Sequence, residues 1–231
     1  VNFLAIDAST EACSVALQYN DKLVTRYEIC PQSHSLQLLP MVDQVLAEAG
    51  CKLKDLDGLI FGQGPGSFTG VRIGIGVAQG LAYSAELPLV GVSTLQAMAQ
   101  LAYNKHQQEQ VIAAIDARMS EVYLGYYEVD SDGIMQPKLK DAVLPPEQVA
   151  EHLTGLTQGA YGVGTGWDAY EEKLGNLKAN AGSPEVMFPA AEAMLAIGAA
   201  AFARGEQVSA EQAQPVYVRD TVSWKKLPGR E

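Results

Sequence analysis

The fold of this chain turns on Gly64-Pro65-Gly66-Ser67-Phe68-Thr69-Gly70-Val71-Arg72-Ile73-Gly74. Upstream lies the apolar run Gly58-Leu59-Ile60-Phe61-Gly62, which reads as a buried strand. Downstream, residues 70–85 are rich in Ala, Gly, Ile and Leu and read as a helix. Glycine permits positive φ and close approach to the main chain. Proline fixes one φ and withdraws one N–H. The free N–H groups at such a helix start can hold an anion or cap a neighbouring element. The stretch lacks the Gly-Lys-Ser/Thr ending of a Walker A loop and the G-x-G-x-x-G of a dinucleotide fold. On spacing alone, a structural turn is favoured over an anion loop.

Working outward, the chain repeats one pattern. Leu4-Ala5-Ile6-Asp7-Ala8-Ser9-Thr10 and Ala113-Ala114-Ile115-Asp116-Ala117-Arg118-Met119 are each a buried-type strand ending in Ile-Asp-Ala. A second strand follows each: Ser14 to Tyr19 in the first half, Val122 to Tyr127 in the second. The first half continues with a strand over 23–29, a helix over 35–49, the strand over 58–62, the loop and the 70–85 helix. A strand over 89–92 then leads to a helix N-capped by Ser93. In the second half, Asp130-Ser131-Asp132-Gly133 and Leu144-Pro145-Pro146 break the pattern. A short helix over 146–153, a strand over 160–163 and a helix over 190–203 complete it. The reading is a duplicated α/β protein with mixed sheets flanked by helices. Its expected units are an N-terminal lobe over 1–108 and a C-terminal lobe over 109–231, the last helix and tail returning to the first lobe.

Composition narrows the function classes. At 231 residues the chain can bury a full core. Its formal net charge of −11 argues against a surface that coats nucleic acid, which needs clustered Lys and Arg. Cys13, Cys30 and Cys51 are too few and too irregular for a disulfide framework and read as small core residues. No run of ~18 apolar residues is present to span a bilayer, and the chain reads as cytoplasmic. His34, His106 and His152 have no i,i+4 histidine partner, and each reads as a surface or cap residue. Ser67 sits in a tight turn but outside a Gly-x-Ser-x-Gly elbow, so a peptidase reading has little support. Gly162-Val163-Gly164-Thr165-Gly166 reads as a turn or as a residual ligand loop.

The helices pose a further question. Helix 35–49 carries Leu36, Leu38, Leu39, Met41, Val42, Val45, Leu46 and Ala49, more than one apolar face. Helix 70–85 has one stripe of Val71, Ile75, Ala78 and Ala82 and another of Ile73, Val77 and Leu81. Its glycines recur four apart, as Gly70/Gly74 and Gly76/Gly80. Each costs ~1 kcal/mol relative to Ala in a helix, and small residues let another helix approach closely. Either a partner covers this surface or the chain buries it.

Ala5-Ile6-Asp7-Ala8-Ser9-Thr10, the Gly64–Gly74 stretch, Ala114-Ile115-Asp116-Ala117-Arg118, Pro215-Val216-Tyr217-Val218-Arg219 and Trp224-Lys225-Lys226-Leu227-Pro228-Gly229 together resemble the TsaB (YeaZ) family. The resemblance runs over the whole chain. It implies the duplicated, two-lobed actin-like fold shared with sugar kinases and heat-shock ATPases. It implies a heterodimer with TsaD, a third subunit TsaE, indirect contact with tRNA, and no membrane. It also implies a competing homodimer through the same helices. The implied interface is Leu38, Met41, Val42, Val45, Arg72, Ile73, Gly76, Val77 and Gly80. A vestigial nucleotide site would fall on Asp7, Ser9, Thr10, Asp116, Arg118 and Gly164. Active relatives place glycine where this chain has Ser9 and Arg118, so a catalytically degenerate scaffold is expected. It would have no cofactor of its own, with ATP and a metal ion on the partner. The alternative is a self-sufficient ATPase or phosphotransferase using Asp7 and Asp116. The tail, with Arg219, Lys225, Lys226 and Arg230, reads as a solvated basic segment.

Overall fold

A computed structural model describes residues 1–156, 159–174, 177 and 185–218. The expectations for Arg219 to Arg230 and for Trp224 lie outside the described residues.

The chain runs β1 (Phe3–Asp7), β2 (Ala12–Tyr19), β3 (Lys22–Ile29), α1 (His34–Ala49), β4 (Gly58–Gly62), α2 (Phe68–Ala85), β5 (Leu89–Val92) and α3 (Thr94–His106). It continues with β6 (Gln110–Asp116), β7 (Val122–Val129), β8 (Met135–Pro137), β9 (Ala142–Leu144), α4 (Val149–His152) and β10 (Tyr161–Val163). The short helices α5 (Gly166–Ala169) and α6 (Glu171–Leu174) and the long α7 (Ala191–Ala203) close it.

Two mixed sheets result. The first has the order β3-β2-β1-β4-β5, antiparallel through its hairpins and parallel from β1 to β5. The second has the order β10-β6-β7-β8, with β9 also on β7. There β6 pairs antiparallel with β7 and parallel with β10, as β1 does with β2 and β4. The duplication is therefore structural. Its third strand is split: β8 pairs with one end of β7 and β9 with the other. Those two three-residue strands, one ending in Pro137, are too short to carry a period-two signal.

Both faces of each sheet are covered, so the central strands read as unbroken apolar runs. In the first sheet Leu4, Ile6, Val15, Leu17, Leu59 and Phe61 pack under α1 and α2. Phe3, Ala5, Ala16, Ile60, Val90 and Val92 face α7 instead. In the second sheet Val111, Ala113 and Ile115 pack on α3, while Ile112, Ala114 and Leu124 pack on Val149, Trp167 and Leu174. Helices α3 and α7 touch and fill the space between the sheets.

Caps and pins fix these helices. Ser93 caps α3, its Oγ accepting from the Gln96 N–H (3.3 Å) and donating to Asp141 Oδ2 (2.6 Å). The Tyr127 hydroxyl donates to the other Asp141 oxygen, which ties the α3 start to β7. Burial pushes the Asp141 carboxyl up and the Tyr127 phenol well up. Helix α7 begins at an alanine with no capping side chain. Its first N–H, at Ala191, instead donates to Ser14 Oγ on β2 (2.8 Å). Of the histidines, His34 is buried, and its Nε2 donates to the Thr10 carbonyl. His106 faces Glu185 at 3.2 Å, and His152 is exposed. Cys13 and Cys30 are buried and Cys51 is half-buried.

Candidate functional site

The turn after β1 is closed, not open to a ligand. Asp7 is 1 % exposed. Ser9 Oγ donates to Asp7 Oδ1 (2.8 Å), and the Ser9 N–H donates to Asp7 Oδ2 (3.4 Å). Thr94 Oγ1 donates to Ser9 Oγ (3.2 Å) from the start of α3. Ser9 and Thr10 are buried as well. Burial pushes the Asp7 carboxyl up to about 6, against the pull of the two Ser9 hydrogen bonds.

The Gly-Pro-Gly loop makes the closure. The Ser67 N–H donates to the Ser9 carbonyl (2.8 Å), and the Thr94 N–H donates to the Gly64 carbonyl (3.0 Å). A Cβ at Gly66 would sit 2.2 Å from the Ser9 carbonyl oxygen. Glycine is needed there because two stretches of backbone touch. A Cβ at Gly62 would meet Asp7 Oδ1 at 1.9 Å. Ser67 caps α2 by accepting from the Gly70 N–H (3.2 Å), so the helix starts at Phe68, two residues before the sequence reading. A metal ion or phosphate does not fit at Asp7. Both carboxylate oxygens accept from Ser9, and the loop backbone lies against the turn.

The second Asp turn is separate and exposed. Asp116 Oδ1 accepts from the Arg118 N–H (3.1 Å) and from the Tyr170 hydroxyl (3.2 Å). The Asp116 N–H donates to Thr165 Oγ1 (3.2 Å). Arg118, Met119 and Ser120 all have φ near +60° (61°, 53° and 59°), so the tip winds left-handed. Gly164 has φ +100°, and a Cβ there would meet the Ala114 carbonyl at 2.1 Å. No hydrogen bond joins this cluster to Asp7 among the described residues. Nor do three His, Cys, Asp or Glu side chains converge on one point among them.

The α1–α2 face is different in kind. Helices α1 and α2 touch and lie side by side on the first sheet. In α2, Val71, Ile75, Ala78 and Ala82 face the sheet, Ile73 and Val77 are half-buried at the flank, and Arg72, Gly76 and Gly80 point outward. A Cβ at Gly76 or Gly80 would meet nothing within 4 Å. Gly70 by contrast packs on the Ala8 carbonyl. In α1 the placement corrects the sequence reading. Leu38, Met41, Val42 and Val45 are buried in the chain's own core, because this stripe must cover Val15, Leu17 and Val24. The outward apolar residues of α1 are Leu36, 74 % exposed, and Leu39. Phe68 and Tyr83 add exposed aromatic rings at the two ends of α2, 69 % and 72 % exposed. The i,i+3 pair Leu36/Leu39 was visible in the sequence. Which stripe faced the sheet was not.

Sheet order and duplication define an α/β protein of two mixed, helix-flanked sheets built on one repeated strand pattern. Residues 24–171 match the family described as TsaD, tRNA N6-adenosine threonylcarbamoyltransferase. The Escherichia coli K12 tRNA threonylcarbamoyladenosine biosynthesis protein TsaB is 50 % identical over 233 residues, all of both chains. The Haemophilus influenzae TsaB is 43 % identical over 238 residues, covering all of this chain and 99 % of that one. The solved YeaZ from Pseudomonas aeruginosa superposes with a TM-score of 0.82 at 45 % identity, covering 94 % of this chain and 99 % of that one. The chain belongs to the TsaB family. No helix among the described residues is long and apolar enough to cross a membrane.

Proposed function

We propose that this chain is a non-catalytic scaffold and activator subunit that binds TsaD, together with TsaE, for transfer of threonylcarbamoyl to the tRNA adenosine next to the anticodon. The observation that carries the reading is the pair Gly76 and Gly80. They are exposed, stand one turn apart on α2, and have open space where a Cβ would be. In the isolated chain each lowers helix stability by ~1 kcal/mol and nothing within the fold requires it. A partner helix laid across that row would require both, since small residues allow close axial approach. Phe68 and Tyr83 at the two ends of α2, and Leu36 and Leu39 on the neighbouring α1, add exposed apolar side chains, in keeping with a docking face. The sealed Asp7 supports a scaffold role, and ATP and a metal ion are assigned to the partner. The relatives named TsaB supply the pathway.

The test is tRNA threonylcarbamoylation reconstituted from purified TsaD, TsaE and tRNA, with and without this chain. Product should require the chain. Gly76→Leu should fold normally yet lower product formation by about tenfold or more, as expected for bulk placed at the centre of an interface. Full activity with Gly76→Leu would sink the docking face. Micromolar Mg-ATP binding by the isolated chain, with turnover lost in Asp116→Ala, would favour a self-sufficient ATPase instead.

A further inference from the structure

Phe68, Arg72, Gly76, Gly80 and Ser84 form one row at four-residue spacing along α2, every one of them exposed. Arg72 stands at the N-terminal end of the glycine pair, and its guanidinium is held still. Its Cζ lies 3.4 Å from the centre of the Phe68 ring and 5.4 Å from that of Tyr217. Nη1 donates to the Phe68 carbonyl (3.3 Å), and Nη2 donates to the Tyr217 hydroxyl. Tyr217 comes from the far end of the chain, 145 residues away.

The segment that delivers Tyr217 is fastened along its length. Val208 and Leu89 exchange backbone hydrogen bonds (2.8 and 2.9 Å). Gln79 Nε2, on α2, donates to the carbonyls of Ala210 (2.8 Å) and Ala213 (3.0 Å). The Val216 N–H donates to the Gln63 carbonyl (2.9 Å). Residues 208–217 thus run along α2 toward its N-terminus and end against Arg72.

Among the described residues this clasp brings no carboxylate to Arg72. The chain has 27 Asp and Glu against 16 Lys and Arg, yet Arg72 has no carboxylate within 4.0 Å among the described residues. By contrast, Arg26 and Arg204 are paired with Glu48 and Glu206. A guanidinium has five N–H donors in a rigid fork. Two are used by described residues, which leaves three among them for a further acceptor. Arginine immobilised on aromatic rings loses little entropy on binding and matches a carboxylate in bidentate fashion.

We infer that Arg72 is the carboxylate-reading residue of the docking face, and that the 208–217 segment, through Tyr217, is what positions it. The partner presents an Asp, a Glu or a terminal carboxylate beside the helix that fills the glycine row. This inference rests on the docking face proposed above, and its test separates the two.

The experiment is titration of purified TsaD with wild type, Arg72→Ala, Arg72→Lys, Tyr217→Ala, Tyr217→Phe, the Arg72→Ala/Tyr217→Ala double variant and Gly76→Leu, at low and high salt. Arg72 and Tyr217 are exposed, so the variants should fold, which circular dichroism checks. Arg72→Ala should raise Kd about 10- to 100-fold, in the range of a truncated arginine anchor. Arg72→Lys should recover only part of that loss. Tyr217→Ala should raise Kd about fivefold or more in the wild type and not further in Arg72→Ala, the signature of a residue acting through another. Tyr217→Phe should fall between. The wild-type Kd should rise with salt more steeply than that of Arg72→Ala. Wild-type affinity in Arg72→Ala, or a loss of affinity independent of salt, overturns the carboxylate reading. Additive effects of the two substitutions overturn the positioning role. If Gly76→Leu alone loses binding, the docking face stands without the clasp. If it binds normally, the face itself is wrong.

Discussion

At the scale of single residues, Asp7 is a turn carboxyl that the fold has buried. Its carboxyl titrates at about 6 in the fold against an ordinary 3.8, because burial outweighs the two hydrogen bonds from Ser9. The folded state therefore binds a proton between these values that the unfolded state has already released. The stability contributed here is complete below about pH 3.8 and is lost as pH rises through about 6. A shift of this size corresponds to about 3 kcal/mol. Asp7→Asn should remove that dependence. Urea unfolding at pH 4.5 and pH 7.5 should show the wild type losing about 2 kcal/mol more than the variant over the interval. Equal pH dependence would mean that water reaches Asp7. The sequence placed Asp7 at a strand end and left its role open. What buries Asp7 is the backbone of Ser67 and Gly66 meeting Ser9, a contact across 57–58 residues that no local pattern encodes.

At the scale of elements, glycines of one helix and its entry loop do opposite work. Gly66 gives way to the Ser9 carbonyl, while Gly76 faces open space. Gly66→Ala should destabilise the isolated chain by about 2 kcal/mol or more, through backbone collision. Gly76→Ala should stabilise it by up to about 1 kcal/mol, through helix propensity and reduced freedom of the unfolded chain. Denaturant melts of the two variants give the comparison, and destabilisation by Gly76→Ala would contradict the open face. The helices and central strands were legible because their apolar runs are long and bounded by Gly, Pro and Ser. The Ser93 cap was legible from its position between β5 and an apolar helix. The inward stripe of α1 was not, because two apolar stripes compete and only the sheet beneath chooses between them. Tyr217 against Arg72 was equally invisible, since no local pattern joins residues 145 positions apart.

At the scale of the whole molecule, the two sheets share a repeated core and differ around it: among the described residues the second has no counterpart of β5, and its third strand is split. The first carries α1 and α2 and offers the outward glycine row. The second carries short helices and an exposed, left-handed Asp116 turn. An isologous homodimer would use the α1–α2 face on both chains, and binding of TsaD would then compete with it. Light scattering on a size-exclusion column should show the homodimer replaced by a one-to-one complex as TsaD is added. Val77→Glu should abolish both species. A homodimer that survives TsaD binding, or that persists in Val77→Glu, places self-association on another surface.

The Ala191 N–H on Ser14, with α7 laid over Phe3, Ala5 and Ile60, bears on biosynthesis. Strand β1 cannot dry its rear surface until α7, which lies far downstream in the chain, has been made. Over that interval the nascent polypeptide exposes an apolar sheet face, the kind of surface that favours aggregation and attracts chaperones.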